Sequence, residues 1–342
     1  MAPGSTFQLI GRCRRAAKTK RAGPKVSPPR STAATTVSED VLRERDYGGD
    51  DRSLSLLIIA TPIKRAYIWD LAPFVSAVRY CIRAGLHVHL LEWMPASQQN
   101  NGLDEYAEAI SGVAKISCQA AGTTPFLVGH SLGTLATIFT AWAPASIRGL
   151  ILLGAPLCFE PATSRFRDAL VSLIPPALSD GDPFPGSLLS FMATLASPST
   201  FIWSRVIGTP SSITDRQTLE INARIERWAL DEVPLPGKLV HQIVQWLYRE
   251  NRLCRGTLKV SEILVGPSSL SVPALAIVTT ADEVAPLASV KPFIDATPAT
   301  GVRIIQYPGE VGVGLQHLGI LVGRQARARV WPEIISWIKT HS

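Results

Sequence analysis

From Leu54 onward the chain alternates apolar, β-rich runs with amphipathic segments of helical length. The runs predict strands over Leu54–Thr61, His87–Trp93, Pro125–Val128, Arg148–Leu153, Ala274–Thr280 and Arg303–Tyr307. Helices are predicted over Trp69–Ala84, Leu103–Ala120, Leu132–Trp142 and Trp331–Lys339, the last entered through Pro332, whose missing N–H costs nothing in a first turn. Strand and helix in alternation call for a mostly parallel sheet covered on both faces, which is the α/β class.

The interval from Leu157 to about Ser271 breaks this rhythm. Proline-rich breaks (Pro175-Pro176, Pro183-Phe-Pro185, Pro210, Pro234-Leu-Pro236) alternate with long helical stretches such as Lys238–Asn251. An insertion of this size between two sheet strands predicts a mainly helical cap. The expected organisation is a core over 39–156, a cap over 157–271 and the rest of the core over 272–342. Phe191, Met192, Phe201, Trp203 and Trp228 are candidates for the cap's apolar lining, or for its own small core.

Charge changes the picture only at the start of the chain. The formal net charge is +7, but residues 1–30 hold eight Lys and Arg and no Asp or Glu; removing those eight leaves the remainder at −1. The body is therefore nearly neutral, and no nucleic-acid partner is expected. Residues 1–38, rich in Ser, Pro, Gly and Thr without apolar periodicity, read as a disordered basic tail. Arg14-Arg15 is followed by Ala, Lys and Thr rather than an apolar run, which argues against a secretion signal. No stretch of about 18 uninterrupted apolar residues exists, so no transmembrane segment is expected. The five cysteines are odd in number and scattered, with no Cys/His spacing for a metal. That usage speaks against a disulfide framework and a structural zinc, and for a reducing, cytoplasmic setting.

The chemistry is carried by Gly129-His130-Ser131-Leu132-Gly133. A nucleophilic serine on a sharp strand-to-helix turn needs small neighbours, and here a strand precedes the pentapeptide and a helix-forming run follows it. This is the nucleophile elbow of the α/β-hydrolase fold, in which the acid and then the histidine follow the serine along the chain. His87 and His89 precede Ser131, His130 lies inside the elbow, His241 falls in a cap helix and His341 is next to the last residue. His317, in the glycine-rich segment after the last strand, is left as general base. Asp282, just beyond the strand ending at Thr280, is the expected acid, with Glu283 as the alternative and Asp295 less well placed. The oxyanion hole should combine the Leu132 N–H with one from the loop after the first parallel strand; Pro62 has none, which leaves Ile63 or Lys64.

At this level the chain resembles the poly(3-hydroxyalkanoate) synthase and depolymerase group of α/β-hydrolases, from about Leu54 to Ile338. The resemblance rests on Pro62-Ile-Lys-Arg-Ala-Tyr-Ile-Trp-Asp-Leu71, Val78-Arg79-Tyr80, Leu91-Glu-Trp93, Gly102-Leu-Asp-Glu-Tyr106, the elbow, Glu250-Asn-Arg-Leu253 with Arg255-Gly256, and Val330-Trp-Pro332 with Trp337. It implies an active site buried under a cap, with a Cys or Ser nucleophile and Asp and His partners that map onto Ser131, Asp282 and His317. It implies no metal and no organic cofactor. The synthases carry cysteine where this chain has Ser131, and their Asp-His-Ile-x-Pro reads Asp282-Glu-Val-Ala-Pro286 here. The histidine stands in Leu315-Gln-His317-Leu rather than directly after a glycine. The expected function is therefore a serine esterase or thioesterase acting on hydroxyalkanoate polyester, its oligomers or related acyl esters, with granule-surface association as an accompanying expectation. The alternatives are a synthase-like acyltransferase using 3-hydroxyacyl-coenzyme A, and a non-catalytic granule- or lipid-surface protein.

Overall fold

Six runs of mostly apolar residues, joined by one polar edge strand, pair into a seven-stranded sheet. The computed structural model describes residues 41–48, 53–96, 100–175, 180–198, 216–310 and 316–342. The expected basic tail, Phe201, Trp203 and Pro210 lie outside them. The strands are β1 (Leu42–Asp46), β2 (Ser55–Ile59), β3 (His87–Trp93), β4 (Phe126–His130), β5 (Gly149–Leu153), β8 (Ala274–Thr279) and β9 (Arg303–Tyr307), lying side by side in the order β1-β3-β2-β4-β5-β8-β9. A small hairpin of β6 (Leu258–Val260) and β7 (Ile263–Val265) stands apart from the sheet. All pairs of the large sheet are parallel except β1 with β3, an antiparallel pair at the edge.

Each face of the sheet has its own core. Leu56, Ile58, Val88, Leu90, Phe126 and Val128 point to one side, against α1 (Ala77–Arg83) and α11 (Trp331–Thr340). Leu57, Ile59, Leu91, Leu127, Leu150 and Leu152 point to the other, under α2 (Leu103–Ala121) and α3 (Thr134–Trp142). The strands alternate between two buried faces, which is why they read as continuous apolar runs. α2 begins where the Glu105 carboxylate accepts from Gly102 N–H at 2.6 Å and ends at Gly122, in the left-handed region with φ 68°.

The helix expected over Trp69–Ala84 is broken. A 3-10 turn spans Ala66–Asp70, and α1 starts only at Ala77, capped by Ser76 accepting from Arg79 N–H at 2.9 Å. Pro73 lies between them and cannot donate within a continuous helix.

Between β5 and β8 run α4 (Arg165–Leu173), α5 (Gly186–Ala196), α6 (Arg216–Ala229), α7 (Gly237–Gln242) with its wider π-helical continuation Ile243–Arg249, and α8 (Arg252–Arg255). Ile174, Met192, Leu235, Val240 and Val244 form a small separate core there. Leu157, Phe159, Leu247, Leu253 and Leu258, by contrast, join the main core beside the sheet, so much of this interval is bound into the body of the protein.

Cys158 and Cys254, separated by 96 positions, form a disulfide. This corrects the expectation against a disulfide and withdraws the cysteine argument for a reducing compartment. Spacing along the chain says nothing of two residues that tertiary packing brings to a Cα–Cα distance of 5.1 Å. The same junction is tied by buried Asn251, whose Oδ1 accepts from Phe159 N–H at 2.8 Å while Nδ2 donates to Glu160 at 2.9 Å. Cys81 is a buried free thiol, pushed by desolvation up to about 12, and Cys118 is half-buried. No helix among the described residues is long and apolar enough to cross a membrane.

Candidate active site

The central strands deliver their C-terminal ends to one edge of the sheet, where the chain order reverses on either side of β2. A crevice forms at such a switch point. β4 runs into Ser131, whose φ of 59° lies in the left-handed region that non-glycine residues avoid. The flanking glycines permit this: a Cβ on Gly129 would stand 2.6 Å from Gly133 Cα, and one on Gly133 would stand 2.4 Å from the Gly129 carbonyl carbon. The Ser131 N–H donates to the Leu153 carbonyl at 3.2 Å, which fastens the turn to β5.

Asp282 follows β8 and is buried, with its carboxylate fully shielded from solvent. Its Oδ2 lies 2.7 Å from His317 Nδ1, and its Oδ1 accepts from Val284 N–H at 2.8 Å. Burial alone would raise this carboxyl. The charge and hydrogen bond of His317, with the N–H groups of Val284 and Ala285, outweigh it and hold Asp282 below the ordinary carboxylate value. Glu283, the alternative acid, turns elsewhere: its Oε2 accepts from Ser197 Oγ at 2.5 Å. Asp295 pairs with Lys291 on the surface, across the short helix α9 (Lys291–Asp295).

His317 sits in the first turn of α10 (Gln316–Val322), a helix that the apolar spacing of the segment does not announce. Gln316 is tied to Glu310: its Oε1 accepts from Glu310 N–H and its Nε2 donates to the Glu310 carbonyl, both at 2.8 Å. Glu310 is itself buried, accepting from the Tyr307 hydroxyl and from Ala326 N–H. His130 adds a further support that the sequence did not disclose. Its ring lies 4.6 Å from that of His317, and its Nε2–H donates to the His317 carbonyl at 2.8 Å. Burial and the neighbouring His317 push His130 down to about 3, so it remains neutral and able to serve as that donor. Gly154, with φ 53°, is needed beside the pair, because a Cβ there would meet Asp282 Oδ2 at 3.1 Å and His317 Nδ1 at 3.5 Å.

With Nδ1 engaged by Asp282, the buried His317 Nε2 has no hydrogen-bond partner among the described residues. It belongs to a cavity of about 190 Å³ that Ser131 also lines. No hydrogen bond joins Ser131 to His317. Leu132, Ile63 and Lys64 line the same cavity. The Lys64 N–H donates to the Thr61 carbonyl at 3.3 Å, whereas neither Leu132 N–H nor Ile63 N–H has a partner among the described residues. The remaining walls are mostly apolar, including Phe166, Ile174, Leu189, Trp228, Val244 and Tyr248.

A second layer holds the Thr61–Arg65 loop. Thr61 Oγ1 donates to the His130 carbonyl at 2.9 Å, and Val233 N–H to the Ile63 carbonyl at 3.0 Å. Lys64 Nζ reaches Glu232 at 2.8 Å and the Ala229 carbonyl at 2.5 Å, while Trp228 Nε1–H donates to the Arg65 carbonyl at 2.7 Å. Residues 228–233 therefore cover the loop that borders Ser131. Of the apolar residues proposed as lining, Trp228 reaches the cavity, Met192 belongs to the small separate core and Phe191 is exposed.

A mostly parallel sheet with helices on both faces and a left-handed serine at the β4–α3 turn define an α/β-hydrolase fold. No family model matches the chain. In sequence it is similar to the poly(3-hydroxyalkanoate) polymerase subunit PhaC of Haloferax mediterranei, at 25% identity over 98% of this chain and 69% of that protein. The corresponding subunit of Haloarcula marismortui is 24% identical over 86% of this chain, which spans 62% of that relative's length. Among solved structures, a monoacylglycerol lipase from Paleococcus ferrophilus superposes with a TM-score of 0.53 at 18% identity, covering 88% of this chain and 99% of the lipase. An esterase from Rhodococcus sp. gives 0.53 at 14% identity, with 88% of this chain and 95% of that one covered. The chain is thus an α/β-hydrolase by fold, similar in sequence to the poly(3-hydroxyalkanoate) polymerases.

Proposed function

We propose that the protein is a serine esterase or thioesterase in which Ser131 is the nucleophile, His317 the general base and Asp282 the group that orients it. The observation that carries this reading is the unpartnered, buried Nε2 of His317, in a cavity shared with Ser131 and with Asp282 bonded behind the ring. Asp282 accepts a hydrogen bond from Nδ1–H and so keeps that proton on Nδ1, which leaves the lone pair on Nε2 to take the Ser131 proton as Oγ attacks an acyl carbon. The Leu132 and Ile63 N–H groups receive the developing oxyanion, and Lys64, whose N–H is engaged, serves instead to brace the loop. His317 then returns the proton to the leaving group, and the acyl-Ser131 ester is hydrolysed by a water that His317 deprotonates.

The apolar walls suit an acyl chain, and the similarity to polymerases of poly(3-hydroxyalkanoate) favours hydroxyalkanoate polyester, its oligomers or related acyl esters. That similarity also supports a second reading, transfer of 3-hydroxyacyl groups from coenzyme A to a growing chain. A serine is less suited to it than a cysteine, because each oxyester intermediate is more stable and less electrophilic than the thioester it replaces. Purified protein given nitrophenyl esters, hydroxybutyrate oligomers and 3-hydroxybutyryl-coenzyme A should release free acids. Insoluble polymer, abolished in Ser131→Ala, would establish the transferase reading instead. Failure to react with a fluorophosphonate probe, alongside absence of turnover, would leave the fold as a binding scaffold.

A further inference from the structure

At the opposite end of the sheet, the start of β3 carries His87 and His89, two positions apart and therefore on one face. The antiparallel register sets Asp46 of β1 across from His89 and Glu44 across from Leu91, which brings both carboxylates to that face. The two imidazoles stack with centroids 4.4 Å apart and planes 4° from parallel. His87 Nε2 lies 2.7 Å from Asp46 Oδ1, and His89 Nδ1 lies 2.6 Å from Glu44 Oε1.

We propose that Asp46, His87 and His89 form a binding site for a divalent cation of borderline softness, such as zinc, with Glu44 orienting His89. One ligand atom from each of the three lies within 4.8 Å of the other two. A tetrahedral zinc with bonds of about 2.0–2.1 Å sets its ligand atoms about 3.4 Å apart, so side-chain rotation has to close the widest gap by no more than about 1.4 Å. The contact between His87 and Asp46 is already inside that spacing, and the cation takes the place of the proton they share, which leaves to solvent. Glu44, accepting from His89 Nδ1–H, leaves the lone pair on Nε2; a ligating histidine is oriented by a carboxylate in this way. Two imidazoles and a carboxylate are the donor set that zinc and its neighbours take. His87 and Asp46 keep 19% and 24% of their side chains exposed, enough for the cation to enter and for water to complete its coordination. Bound there, it would fasten the polar edge strand β1 to β3.

Independent hydrogen bonds could hold the same two histidines, and titration separates the cases. Chelator-treated full-length protein should take up one equivalent of zinc or cobalt in calorimetry, with a cobalt visible spectrum and a raised Tm. Glu44→Gln should weaken binding by about tenfold, as loss of an orienting partner does, and His87→Ala and His89→Ala, which each remove a ligand, should weaken it by more. His317→Ala should bind as the parent does, which excludes the pocket histidines. If an alanine variant fails to fold, Asp46→Asn, which keeps the side chain's shape, carries the same expectation of weakened binding. No saturable uptake, uptake that survives in these variants, or uptake lost in His317→Ala would overturn the proposal.

Discussion

Replacing Asp282 by Asn tests the proposed catalytic arrangement most directly, because the side chain keeps its shape and changes only what it offers His317. Asp282 Oδ1 accepts from Val284 N–H at 2.8 Å, so in Asn the amide oxygen stays on that side. The NH2 group then replaces Oδ2, 2.7 Å from His317 Nδ1. Two donors cannot share that contact, and His317 must move its proton from Nδ1 to Nε2. The nitrogen that should accept the Ser131 proton then already carries one. In the serine-protease precedent the same change lowers turnover about 10⁴-fold, equivalent to about 5.5 kcal/mol at 1.36 kcal/mol per tenfold.

We expect a loss of that order in kcat for nitrophenyl ester hydrolysis, with KM within a few-fold and the circular dichroism spectrum unchanged. Stability should carry its own signature. A carboxyl held below its ordinary value stabilises the fold above the unfolded-state pKa of about 3.9, and that contribution disappears as pH falls through the lower folded value. The parent should thus unfold at a higher temperature than Asp282→Asn near neutrality, and the gap should narrow in acid. A folded variant with less than about a tenfold loss in kcat would refute the role given to Asp282.

Three other perturbations probe the supports. Gly154→Ala places a side chain at φ 53° and 3.1 Å from Asp282 Oδ2; it should cost about 1–2 kcal/mol in denaturant unfolding and lower kcat more than it raises KM, whereas unchanged kcat would show that the pair tolerates the methyl group. Reducing Cys158–Cys254, which spans 96 positions, should lower unfolding free energy by about 2–4 kcal/mol, and identical urea transitions with and without reductant would contradict it. Glu310→Leu leaves the Tyr307 hydroxyl and Ala326 N–H without their acceptor, at about 1–3 kcal/mol each; a urea midpoint equal to the parent's would show that these groups find other partners.

Local features were legible in the residues themselves. β3 and β9 have the bounds their apolar runs predict, and α2 ends one residue beyond its expected end. Ser131 was legible because an elbow is a local object: a strand, two glycines and a helix in immediate succession. The order Ser131, Asp282, His317 followed from the fold class, and the position just beyond the strand favoured Asp282, with Glu283 next to it as the alternative. Tertiary geometry separates them by turning one toward His317 and the other toward Ser197. In the loop after β2 the Lys64 N–H is taken up by the turn, and the Ile63 N–H has no partner among the described residues.

What remained hidden depends on residues far apart in the chain. Leu42-Arg-Glu-Arg-Asp46 has no apolar pattern and becomes a strand because the open edge of β3 supplies its hydrogen-bond partners. The Cys158–Cys254 bond, the bracing of Lys64 by Glu232, the His130 contact to the His317 carbonyl and the Asp46–His87–His89 group all arise in the same way. Side-chain periodicity reports how a segment buries its own apolar surface. Which distant segments then meet is set by sheet order and by the packing of both cores, and these are properties of the whole chain.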